Sequence, residues 1–157
     1  MIKTLHGTVD RFFEKAVEAA PDQFACRPGC ASCCLVDLSV FEVEAALVSA
    51  VFATLPDDVR AAAADRAELG RHCCMIDDRT GGCIVYGARP IICRSHGLTI
   101  LADGNLDHCP LNYTKTTADR KNILDIERLN TALVTVNAAA GHGPERVRLA
   151  DIAIKNR

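Results

Sequence analysis

Tryptophan is missing from this 157-residue chain, and aromatic residues make up only 4% of it. Any core must therefore be built from aliphatic and alanine side chains. Basic charge is not in excess either: 18 Lys and Arg against 20 Asp and Glu leave a formal net charge of −2. That excludes nucleic acid as a main partner, because phosphate binding needs a basic surface. No apolar run approaches the roughly 20 residues of a membrane-spanning helix, so no membrane is expected as a partner. The opening "MIKTLHGTVD" lacks the apolar stretch of a secretory leader. A cytoplasmic location is expected, where thiols are kept reduced. Repeats, low-complexity tracts and linkers are absent, and the length predicts one domain over 1–157, large enough to bury a real core. There is no phosphate-cradling glycine loop, no Ser-His-Asp set and no catalytic carboxylate pair. Asp77 and Asp78 read as turn residues. These absences leave open whether the chain is an enzyme, and they name no protein partner.

What the chain has in abundance is cysteine, nine in all. "CRPGCASCC" holds Cys26, Cys30, Cys33 and Cys34, and a second group follows with Cys73, Cys74, Cys83 and Cys93, then Cys109 alone. An odd number of cysteines in a chain without export signals argues against a disulfide framework. Metal coordination suits the spacing, since thiolates two to four residues apart can turn back onto one ion. The adjacent pair Cys33–Cys34 would strain a single tetrahedral site, so two ions or a polynuclear cluster use it more naturally. Eight thiolates fill two four-cysteine sites, leaving over one of Cys73 and Cys74 as a small buried apolar residue. Arg27, Arg89 and Arg94 lie close enough in sequence to offset thiolate charge. His72, His96 and His108 flank cysteines and offer substitute ligands.

The fold class read from periodicity is mainly α: a small helical domain with an irregular, metal-pinned, cysteine-rich middle and one short hairpin. Val9, Phe12, Phe13, Ala16, Val17 and Ala20 predict a helix ended by Pro21. Ser39 and Glu42 form the pattern of a capping box for a second helix, with Val40, Val43, Leu47 and Val51 as its apolar stripe. "DDVRAAAADRAELG" predicts a third helix that stops at Gly70. Residues 72–97 are broken by Gly81, Gly82, Gly87 and Pro90, with a short helix opening at Pro90. A hairpin is expected around Ala102–Asn105. A long helix is predicted from about Ala118 to Ala140 on the stripe Ile123, Ile126, Leu129, Leu133 and Val136, and a last one over "PERVRLADIAIKN". An irregular stretch of some 25 residues inside a small domain is unusual unless something orders it, and a metal would.

With these residues in view, the chain resembles the CxxCxxCC cysteine-cluster family (YkgJ-like), described as zinc- or iron-chelating. "CRPGCASCC" is similar to its first motif, with three residues in the first gap instead of two. "CCMIDDRTGGCIVYGARPIICR" resembles its second block through Cys73, Cys83, Tyr86, Arg89, Pro90, Cys93 and Arg94. Cys74 stands where that block usually has proline, so the resemblance leaves Cys74 out. The two matched blocks imply Cys26, Cys30, Cys33, Cys34, Cys73, Cys83 and Cys93 as metal ligands, and the count of eight thiolates adds Cys109. The implied cofactor is zinc, with iron or an iron–sulfur cluster as the other choice. An iron–sulfur protein with redox or SAM-linked methyl-transfer activity is the alternative. Cys26, Cys30 and Cys33 resemble the radical-SAM spacing, but the chain is too short and too helical for that barrel, and Ser32 stands where an aromatic is usual. A thiol oxidoreductase would need a βαβ pattern that is not present. Arg89 and Arg94 are expected to face the thiolates or nearby carbonyls, with Tyr86 packed on the apolar side of the site.

Overall fold

In the computed structural model, which describes residues 1–27 and 29–157, the elements follow in chain order: α1 (Ile2–Ala19), β1 (Ser39–Phe41), α2 (Glu42–Phe52), α3 (Asp57–Leu69), α4 (Ile91–Ser95), β2 (Thr99–Ala102), β3 (Asn105–Asp107), β4 (Ile123–Asp125), α5 (Ile126–Ala139), β5 (Arg146–Arg148) and α6 (Leu149–Lys155). Helix dominates and the strands are three or four residues long, so the chain is mainly α. The residues group into two compact units, Met1–Arg27 with Ile91–Val136, and Pro28–Pro90 with Asn137–Arg157.

In the first unit α1 begins at Ile2, seven residues before the helix predicted at Val9. Ile2, His6, Val9 and Ala16 are its buried residues. A histidine within that stripe and Gly7 beside it hide the first two turns from an apolar count. The start of α4 just after Pro90 is as expected. Its Arg94 is buried and binds Asp10 of α1 at 2.6 Å. The hairpin β2–β3 turns at Asp103 and Gly104, both at positive φ, as a type I′ turn requires.

The predicted helix from Ala118 is corrected here. Residues 123–125 form β4, which pairs in parallel with β2, Thr99 opposite Ile123 and Leu101 opposite Asp125. The apolar pair Ile123 and Leu124 suits a strand as well as a helix, and the free edge of β2 decides it. Helix α5 starts only at Ile126 and buries Leu129 and Leu133.

The second unit is built on α2, α3 and α6, with β1 and β5 paired antiparallel. Asp57 and Asp58 sit at the positive end of α3. Ala61, Ala62, Ala63 and Ala64 favour its body, and Gly70 closes it at φ +60°. The expected capping box at Ser39 is not formed. Ser39 pairs with Arg148 as strand, and Phe41 takes the N-cap of α2. The buried residues of α2 are Glu44, Ala45, Val48 and Phe52, with Val51 exposed. The sequence "EVEAALVSAVF" is apolar on more than one face, so spacing alone picked the wrong stripe. The predicted last helix likewise loses its start: Arg146–Arg148 is strand β5, and α6 begins at Leu149.

The core of this unit joins Val40, Val48, Phe52, Ala63, Met75, Val85, Leu149 and Ile152. Each fully buried large side chain contributes about 1.5–3 kcal/mol. Cys73 and Cys74 belong to the same cluster, and Cys34 and Cys83 pack against it.

Candidate metal centre

All nine cysteines stand as thiols, with no disulfide among the described residues. In the second unit the two cysteine blocks meet through the backbone. The Cys34 N–H donates to the Ala31 carbonyl at 2.9 Å, closing a turn, and the Cys34 carbonyl accepts the Cys73 N–H at 3.1 Å. That bond fixes "ASCC" beside the segment that follows α3. A second set of bonds folds the chain back on itself after Cys73. Asp77 N–H donates to the Gly82 carbonyl at 2.9 Å, and Ile84 N–H to the Met75 carbonyl at 2.9 Å. The Asp77 carboxylate holds the tip of this turn, accepting from Arg79 N–H and the Thr80 hydroxyl. Asp77 is therefore a turn residue, as expected. The result returns Cys83 toward Cys73, close enough for their charges to interact.

Burial and neighbours set the state of these thiols. The Cys33 thiol is pushed far up, first by its hydrogen bond with Cys34, then by burial and by the charge of Cys34, with the Arg89 charge opposing. Burial raises Cys73, opposed by a Met75 backbone N–H aimed at its sulfur. Cys83 is raised by burial too, opposed by Val85 N–H and Arg89. Cys74, 1% exposed, is pushed up to about 12, mainly by burial and then by Cys73. Without a metal these groups are neutral thiols at physiological pH, and a bound cation must displace their protons.

Positive charge is supplied by two arginines. The Arg89 guanidinium lies 3.7 Å from the centre of the Tyr86 ring, its Nε donating to the Tyr86 carbonyl at 3.3 Å. From there its charge acts on Cys33 and Cys83. Tyr86 itself is 52% exposed, so it supports Arg89 from the solvent side, where an apolar packing role was expected. Arg66 of α3, which no motif pointed to, donates from Nε to the Cys74 carbonyl at 3.1 Å.

The first unit carries Cys26, Cys93 and Cys109. Cys93 lies half-buried in α4, and Cys109 follows β3. Asn112, 0% exposed, ties the neighbourhood of Cys26 together. Its Oδ1 accepts Ala25 N–H at 2.8 Å, and its Nδ2 donates to the Gly97 carbonyl at 2.7 Å and to Cys26 Sγ at 3.4 Å. Asn112 N–H donates to the Cys109 carbonyl at 2.9 Å. Phe24 stacks edge-on against Tyr113, next in sequence. Arg94, expected to face thiolates or loop carbonyls, takes Asp10 as a partner.

Among the described residues no three His, Cys, Asp or Glu side chains converge as a ready ion site. His72 pairs with Asp78 at 3.1 Å, and His108 lies edge-on to Tyr113. The donor chemistry nevertheless fits a soft cation. Thiols are clustered by pairs, partly desolvated, hydrogen-bonded at sulfur and attended by arginine, a set suited to zinc or iron.

A family model described as "CxxCxxCC: Putative zinc- or iron-chelating domain" matches residues 25–130, more than half of the chain. No curated protein and no solved structure matches the chain. No helix is long and apolar enough to cross a membrane among the described residues.

Proposed function

The chain belongs to the CxxCxxCC family, and from that premise we propose that it is a thiolate metal-binding protein holding zinc or iron in two sites or one polynuclear cluster. The ligands are Cys26, Cys30, Cys33, Cys34, Cys73, Cys83, Cys93 and Cys109. The observation that supports this most is how the second unit brings its cysteines together: the Cys33 and Cys34 thiols hydrogen-bond, the Cys73 N–H donates to the Cys34 carbonyl, and Cys83 lies near enough to Cys73 for their charges to interact. Cys74 is left to the core. When bound, the metal supplies a charge that crosslinks segments lacking regular structure of their own. The chain's part is to present sulfur, to donate N–H groups to it from Met75 and Val85, and to balance its charge with Arg89. Zinc is the first choice, because closed sites of four thiolates contribute directly to folding. A cytoplasmic location, where thiols stay reduced, suits this reading.

Metal analysis of protein purified without oxygen tests it. Bound zinc or iron in stoichiometric amount is the expected result, and a metal-free, fully folded protein would overturn the reading. An iron–sulfur protein, the alternative, is told apart in the same sample by a brown colour and absorbance near ~400 nm.

A further inference from the structure

Asn112 carries no charge, lies outside both cysteine blocks and is fully buried. We infer that Asn112, seated against Gly97, is a positioning residue that aims and hydrogen-bonds the Cys26 sulfur for metal. This rests on the reading of Cys26 as a ligand.

Four observations carry the inference, all within the first unit. The amide orientation is settled by its partners: Ala25 N–H can only donate and the Gly97 carbonyl can only accept, so Oδ1 faces the first and Nδ2 the second. That leaves one Nδ2 proton, and it points at Cys26 Sγ, 3.4 Å away. All of the amide's donors are then used, and the second of them is spent on sulfur. Gly97 makes the approach possible. A Cβ there would lie 2.6 Å from Cys26 Sγ and 3.3 Å from Asn112 Nδ2, and the backbone is at φ +101°, where a side chain is strained. The contact with sulfur and the positive φ together favour glycine at 97, and the approach to Nδ2 is tight as well. Finally, Ala25 N–H is fastened by the same side chain, so the residue before the sulfur is fixed as well.

An N–H donor gains strength when its acceptor is anionic. The bond is therefore one that a metal-bound sulfur, which carries negative charge, would strengthen. Asp at 112 would keep the acceptor for Ala25 but remove both donors, setting a carboxylate against the Gly97 carbonyl and the sulfur.

A merely structural Asn112 would hold Ala25 and Gly97 and leave the metal unaware of it, so the test reads the bond to sulfur. The unmodified protein is loaded with cadmium-113 and its side-chain amide protons are followed by NMR. The expected result is a downfield shift of one Asn112 Nδ2 proton on loading, with scalar coupling to cadmium through the sulfur. Cadmium bound without that coupling overturns the role of Asn112 alone. No cadmium bound at all overturns the metal-binding reading itself. In a cobalt competition against a chelator, Asn112→Asp is expected to lose roughly 10- to 100-fold in affinity, the usual size of a lost outer-shell partner. Unchanged affinity in a folded variant overturns the inference. If the variant does not fold, the coupling in the unmodified protein decides.

Discussion

Cys74 and Cys83 stand in different surroundings, and the difference is testable. Cys74 is sealed in the core of the second unit with its sulfur among apolar neighbours, whereas Cys83 borders that core within reach of the Arg89 charge. Cys74→Ala should leave metal content unchanged, and Cys83→Ser should lower it, as read by elemental analysis of each variant. Equal loss in both would show that Cys74 is a ligand after all. The burial of Cys74 also has a consequence for the metal-free protein. Its folded pKa is raised above the ordinary thiol value of 9.0 to about 12. A raised pKa means the fold favours the neutral form, so this contribution is complete below about pH 9. It is lost as pH climbs toward about 12. The denaturation midpoint of the metal-free protein should fall across that window. The fall should be shallower in Cys74→Ala, and identical curves would contradict the assignment. The cysteine blocks and Arg89 were legible in the sequence because their spacing is local. Asn112, Gly97 and Arg66 were not, since each acts on a residue brought near by the fold, and none belongs to a motif.

At the scale of elements, the segment from Cys73 to Ala88 has one 3-10 turn, Tyr86–Ala88, and otherwise isolated backbone bonds. Helix α5 has its own ladder and two buried leucines. Chelation should therefore speed amide exchange in the former and leave Leu129 and Leu133 protected, as hydrogen exchange resolved by residue would show. Uniform exchange in both would mean that metal does not order the middle segment. Local signals found α3, α4 and the β2–β3 hairpin: Gly70 ends the first, Pro90 opens the second, and the Asp103–Gly104 turn reverses the chain in the third. Periodicity overran at Ser39, Ile123 and Arg146, where three-residue strands begin. Such strands are set by a distant partner, β5, β2 and β1 respectively, and a run that short has no period of its own.

For the whole molecule, the described residues group into two compact units between which the chain passes back and forth, a division within the single domain over 1–157 that length leads one to expect. No composition shift marks those crossings, so the sequence held no sign of them. The near-neutral charge leaves binding to local chemistry, and that chemistry is dominated by thiols with raised pKa values. Metal uptake must then release protons, and apparent affinity should rise with pH. Titration calorimetry in buffers of different ionisation heat measures the protons directly, and a buffer-independent heat would contradict thiol ligation. X-ray absorption at the metal edge, on protein purified without oxygen, tests the central claim most directly. For zinc the account predicts a shell of sulfur near ~2.3 Å. A shell of nitrogen and oxygen near ~2.0–2.1 Å, with no sulfur, would contradict it.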